Sequence, residues 1–198
     1  MAIEHEQIPE YINYFLYLEE DIQKLSRWID FTEDNKAVYS IELARLLMVA
    51  SAEVDVIAKA LCHRIDPNRN AKSINIYQSV LTTAIPFIHE AEVQMPKYGM
   101  TFKPFSNWST VNTPPTWWSD NNKIKHHRNL HFKKATLKNV LNSAAGLITL
   151  LILYYSSERP NFPMPNLFIP RFFATPEGAG LGTALRLWVP DGTTLPWA

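Results

Sequence analysis

Beyond Pro9, apolar residues recur at Ile12, Phe15, Leu16, Ile22, Leu25 and Ile29, with Glu19, Glu20, Gln23 and Lys24 opposite them. Such spacing marks an amphipathic helix, and a proline suits its first turn. The stretch FTEDN (31–35) supplies turn and capping residues. A second pattern, Leu43, Leu47, Ala50, Val54, Ile57 and Leu61, predicts a helix over about 37–64. Its alternating steps of four and three form the seam by which antiparallel helices pack. IDPNRN (65–70) ends it, and Ile74, Tyr77, Leu81 and Ile85 predict a third helix that Pro86 terminates. Residues 94–115 carry four prolines among aromatics, too long for an ordinary connection, so this stretch is ordered by its aromatics or is functional. Thr116 then caps a short helix over 117–128. The last long helix starts near Thr136 and repeats Val140, Leu141, Ala144, Ile148, Leu151, Ile152 and Tyr155. Beyond Ala144 it is apolar nearly all round, which requires a central, enclosed position.

The periodicity fades after residue 158. Residues 159–198 hold seven of the fourteen prolines, the run GAGLG and two strand-like pieces, NLFIP and ALRLWVP. The fold class is therefore mainly α: an antiparallel bundle of four to five helices over 1–158. An irregular, partly β, Pro/Gly-rich extension over 159–198 packs on it, being too small for an independent domain.

Composition adds bounds. A chain of 198 residues with 46% hydrophobic and 19% charged content has enough apolar mass for one sizeable core. Its net charge is zero, which gives no global attraction to nucleic acid or to acidic membranes. The opening MAIEHEQIPEY is acidic and without an apolar run, so no secretory leader is expected. The longest apolar run, residues 144–155, is shorter than the roughly 20 residues of a bilayer span. A cytoplasmic protein without membrane contact is the expectation. The single cysteine, Cys62, sits in a helical pattern and reads as a small buried hydrophobe.

Local charge changes this picture. Residues 1–55 hold twelve of the nineteen acids, whereas 120–138 hold six bases and one acid, Asp120. In NNKIKHHRNLHFKKATL (121–137), Lys125 and Arg128 share a helical face, as do His127 and His131. Arginine offers a fork for phosphate oxygens, and imidazole titrates near neutrality, as proton transfer requires. Lys125, Asn122 and Asn129 are candidate phosphate or RNA ligands; Arg128, His126 and His131 are candidate catalytic groups. Glu53, between the seam residues Ala50 and Val54, is expected to be half-buried and to pair with these cations; Asp55 reads as an i, i+4 partner of Lys59. In a competing reading the basic stretch neutralises Glu53 and Asp55 inside a purely structural bundle. Metal binding is not expected: the His127–His131 pair lacks further ligands and the intervening Glu of the zinc-protease pattern. GAGLG is not a dinucleotide loop, because no helical pattern follows it. In PPTWW (114–118), one tryptophan is expected in the core and the other over a groove.

The block WWSDNNKIKHHRNLHFKKATLKNVLNSAAGLITLLILYY resembles uncharacterised bacterial and phage proteins that share a Trp-x-x-x-Asn-x-Ile-Lys-His-x-Arg signature. With YSIELARLLMVASAEVDVIAKALC upstream, residues 10–156 are similar to a divergent HEPN-type helical bundle. The resemblance implies an α-helical protein, often a homodimer or bound to an antitoxin-like partner, from toxin–antitoxin or phage-defence systems. Catalytic members of that family are metal-independent ribonucleases, with no cofactor, that use an Arg, an adjacent polar residue and a His four to six positions beyond the Arg. Arg128 and Asn129 match the first two. Positions 132–134 are Phe132, Lys133 and Lys134, so the His is displaced to His131.

Overall fold

The computed structural model describes residues 9–156 and 165–170. Five helices, α1 (Glu10–Leu25), α2 (Ile41–Ile65), α3 (Ile74–Ala84), α4 (Thr116–His131) and α5 (Leu137–Tyr155), make up most of that length. The strands β1 (Val93–Met95), β2 (Met100–Phe102) and β3 (Ile169–Pro170) form one small antiparallel sheet in the order β2-β1-β3. The predicted helix order holds, and the local chemistry accounts for the boundaries that differ. α1 stops short of Ile29 because the amides of Ser26, Arg27 and Trp28 bond three residues back, tightening the last turn. α2 starts at Ile41 because Ser40 caps it, its Oγ accepting from the Leu43 amide at 3.1 Å. Thr136 caps α5 in the same way through the Asn139 amide.

α5 is the centre of the molecule. From Leu137 to Tyr155 only Lys138, Asn142 and Tyr154 escape full burial. Its buried hydroxyls are satisfied within the helix: Ser143 donates to the Val140 carbonyl and Thr149 to the Ala145 carbonyl. Among the described residues α5 alone is long and apolar enough to cross a membrane, but 83% of its most apolar window is covered by the rest of the protein.

The directions of the helices follow from their end contacts. At one end of α5, the Leu137 amide donates to the Val38 carbonyl and Thr136 bridges to Tyr39, just before α2. At the other end, the Arg64 guanidinium on the last turn of α2 donates to the Tyr154 carbonyl and lies over the Tyr154 ring. The α2–α5 pair thus runs parallel, so the antiparallel packing expected from the α2 seam does not apply to its main partner. α1 and α4 do run against this pair. Tyr11 near the start of α1 meets Tyr154 near the end of α5, and Asp21 near its end meets Arg45 near the start of α2. Helices that follow each other in parallel need a connection that returns the length of the bundle, and residues 66–136 provide it.

That crossover contains the proline- and aromatic-rich stretch, which the aromatics do order. Pro96 and Gly99 close the β1–β2 hairpin, with Gly99 at φ 62°, a left-handed conformation that glycine adopts without strain. Phe105 and Trp108 stack with ring centres 4.4 Å apart, and the Trp117 Nε1–H donates to the Pro104 carbonyl at 2.9 Å. A Cβ at Gly146 would lie 3.1 Å from the Trp117 ring, so glycine at this position lets α4 approach α5 closely.

The segment 165–170 is bound to the bundle, and its NLFIP piece supplies β3, which pairs with β1. The GAGLG and ALRLWVP pieces lie outside the described residues. What holds the segment is Glu19. The polar side of α1 was its expected place, yet it is only 2% exposed. Its carboxylate accepts the backbone amides of Asn166 (2.8 Å), Leu167 (2.8 Å) and Phe168 (3.0 Å). Three donors compensate a buried charge that would otherwise be prohibitive. Glu19→Ala is expected to lower the unfolding free energy by about 3 kcal/mol, as for loss of buried hydrogen bonds to an ionised group. Denaturant titration checks the loss, and limited proteolysis after residue 160 checks the predicted release of the segment.

Candidate phosphate-binding face

α4 buries Trp117, Trp118, Asp120, Asn121 and Ile124, and beyond Ile124 nothing on it is buried. Both tryptophans are therefore core residues, in edge contact with each other at 5.9 Å; neither covers a groove. With the inward stripe ended, Lys125, His126, His127, Arg128, Asn129 and Leu130 are all exposed. The backbone changes here as well. His127 has φ −140° and ψ 55°, outside the helical region, so α4 kinks at that residue. The predicted end of the helix at about residue 128 matches this break.

The kink reorganises the candidates. Asn122, Lys125 and His126 precede it and share one helical face, three and four residues apart. Arg128 and Asn129 follow it, so the helical spacing from Lys125 to Arg128 no longer applies. Arg128 points its Nη2 at the Met48 sulfur on α2, 3.6 Å away. His131 is half-buried, and its ring stands edge-on to that of His127 at 6.5 Å, so these two do come together. Among the described residues no group of three or more His, Cys, Asp or Glu side chains gathers in metal-binding fashion.

Glu53 does not support this site. It is partly buried on α2 as expected, but among the described residues no cation lies within ion-pair distance. Burial, and then the charge of Glu10, push its carboxyl above the usual range. Asp55 is likewise not available to the basic stretch: it pairs with Lys59 and accepts the Tyr77 hydroxyl at 2.8 Å. Both carboxylates of the competing structural reading are thus removed from the cationic segment. Cys62 is fully buried, its thiol pushed up to about 12 by burial, which matches its reading as a small hydrophobe.

The acid that does meet the basic stretch is Asp120. Its carboxylate takes Lys134 Nζ at 2.8 Å and Asn139 Nδ2 at 3.1 Å, with Lys123 Nζ at 3.9 Å. Asn139 also donates to the Lys134 carbonyl at 2.9 Å. One carboxylate thereby ties α4 to the first turn of α5 and pins the end of the intervening segment. Asp120 and Asn139 were absent from the sequence candidates. The available signal was a lone acid in a basic run, one turn before Ile124 on the inward stripe. Lys123 and Lys134 are drawn off by Asp120. Lys125, Arg128 and Lys133 have no carboxylate within 4.0 Å among the described residues. No known protein family, curated protein or solved structure matches the chain.

Two expected outcomes follow. Asp120→Ala should destabilise by about 2 kcal/mol, below the usual cost of breaking a buried pair because its lysines are partly exposed. Lys123→Ala should be nearly neutral, and denaturant titration of both variants makes the comparison. For Glu53, the folded-state pKa is raised, so the folded chain binds that proton more tightly than the unfolded chain. Its contribution is then most favourable below its ordinary value of 4.5 and is lost as pH rises through the folded-state value. Glu53→Gln should therefore raise the melting temperature at pH 7, with the gain vanishing below about pH 4.5; a gain independent of pH would contradict the assignment.

Proposed function

We propose that this is a HEPN-like cytoplasmic protein that binds RNA or a nucleotide phosphate through Lys125, His126 and Arg128, with Asn122 and Asn129 as neutral donors beside them. A role in phage defence or toxin–antitoxin biology, as a homodimer or with an antitoxin-like partner, goes with that reading. The observation that carries it is the charge imbalance at the α4 kink. Lys125, Arg128 and Lys133 are each exposed, within nine residues of chain, with no carboxylate within 4.0 Å among the described residues, while the one local carboxylate is occupied by Lys123 and Lys134. A phosphodiester supplies the missing charge, and the arginine fork and lysine ammonium suit its oxygens.

Cleavage fits the same constellation as a metal-independent transesterification. His126 or His131 would take the 2′-OH proton, O2′ would attack phosphorus as the bond to the 5′-oxygen breaks, and that oxygen would take a proton from water, Arg128 stabilising the charge on the phosphate oxygens. A second reading, a non-catalytic structural or interaction protein, is favoured by a different observation: the Asp120 network gives part of the basic stretch a structural task.

Arg128→Ala separates the two. Arg128 is exposed and has no carboxylate partner, so its removal should leave the melting temperature within about 1 °C, as for a surface change. Under the binding reading, it should weaken affinity for a single-stranded RNA about tenfold. The slope of log affinity against log salt should fall from about −2 to about −1.4, three phosphate contacts becoming two at about 0.7 each. Equal affinity and slope in the two proteins would leave the scaffold reading standing. Incubating the RNA in excess chelator tests cleavage.

A further inference from the structure

A second cationic feature lies away from the α4 kink, where α2 ends. A cavity of about 540 Å³ is bounded there by Lys59 and His63 on α2 and by Arg69, Asn70, Ala71 and Lys72 in the loop to α3. Its volume falls within the range of small-molecule sites. Lys59 and His63 are one turn apart on the exposed side of α2, so both reach the same space.

The loop is shaped to close that space. The Asp66 side chain accepts the Asn68 amide at 3.1 Å and the Asp66 carbonyl accepts the Arg69 amide at 3.0 Å. The Ala71 amide then donates to the Arg69 carbonyl at 2.9 Å. These successive turns fold 66–71 back and hold Arg69 and Lys72 at the cavity with Lys59.

Its charge is one-sided. No acidic side chain lines it, and Lys59 alone among its cations has an acid partner, Asp55, which also accepts the Tyr77 hydroxyl. Arg69 and Lys72 have no carboxylate within 4.0 Å among the described residues. Two uncompensated cations in one concave site, with an amide donor and an imidazole beside them, match an anion that carries two charges on several oxygens.

We propose that this cavity is a phosphate-binding site, with the Arg69 guanidinium and the Lys72 ammonium as its principal ligands and Asn70 and His63 as further donors. A carboxylate offers one charge and two oxygens, whereas a phosphate monoester or diphosphate satisfies both cations at once. The site stands on its own residues and is independent of the α4 face. The phosphate belongs either to a free phosphorylated small molecule or to a nucleic-acid backbone, where two successive phosphodiesters of one charge each would take the two cations. Lys59 lies eleven residues along α2 from Met48, about 16 Å at the helical rise and only about 20° round the axis, so both cationic features open toward the same side of that helix.

The test is calorimetric titration of the whole chain with inorganic pyrophosphate. Three proteins are compared: wild type, the double variant Arg69→Ala/Lys72→Ala, and Arg128→Ala. A saturable component of wild-type binding that is weakened at least tenfold in the double variant and kept in Arg128→Ala establishes the site; any component lost in Arg128→Ala alone belongs to the α4 face. Circular dichroism melts confirm that the double variant is folded; should it not be, Lys72→Glu alone, an exposed charge reversal, replaces it with the same expected loss. Absence of saturable binding by wild type, or equal affinity in the double variant, overturns the proposal, as does a loss that appears in Arg128→Ala instead. Competition with a short oligoribonucleotide assigns the source: displacement of pyrophosphate identifies a backbone phosphate, and retention identifies a free phosphorylated molecule.

Discussion

A helix that is apolar nearly all round beyond Ala144 must be surrounded, and the fold answers to that constraint on α5. Removing its surface from water takes a partner on every side: α2 along its length, α1 and α4 against it, and the hairpin strand β2 and the segment at 165–170 over what remains. Ties at both ends fix α2 beside it in parallel, so the connection between them has to travel the length of the bundle. The prolines, aromatics and small sheet of that connection are how the crossover returns without leaving α5 exposed. Gly146 belongs to the same requirement, since a Cβ there would lie only 3.1 Å from the Trp117 ring and would press it back.

The cationic face is a by-product of where this enclosure stops. α4 contributes to the core through Ile124 and then has nothing further to bury. Its remaining residues, exposed on both sides of the break at His127, can be charged without penalty. Asp120 limits how far that freedom extends. By holding Lys134 and Asn139 it fixes the return of the chain into α5, so the basic segment is anchored at both ends.

Periodicity made α2 and α5 readable from the sequence, because a buried helical face imposes the same spacing wherever it packs. Periodicity carries no direction, however, and the parallel α2–α5 arrangement was therefore not legible. The kink at His127 was legible only as a helix end near residue 128, because neither proline nor glycine lies within three residues to announce a bend. Glu53 illustrates a different limit: its half-buried position followed from its place in the seam, but the absence of a cation beside it among the described residues depended on which elements lie opposite. Asp120 was visible as a lone acid among bases, yet its role needed the turn that brings Asn139 back beside it. Glu19 resembled any polar residue on a surface helix, since the groups that bury it belong to a segment far away in the sequence.

That last separation bears on how the chain is made. The amides that receive the Glu19 carboxylate follow it by 147 to 149 positions, so they emerge from the ribosome after every helix of the bundle. Until then a carboxylate sits on the inner side of α1 without the donors that permit its enclosure, and contacts this distant are slow to form. Closure of α1 against its neighbours is thereby deferred until residue 168 has been translated. A chain that stops before residue 166 would leave the Glu19 carboxylate without these donors, so that α1 would keep that side open to water.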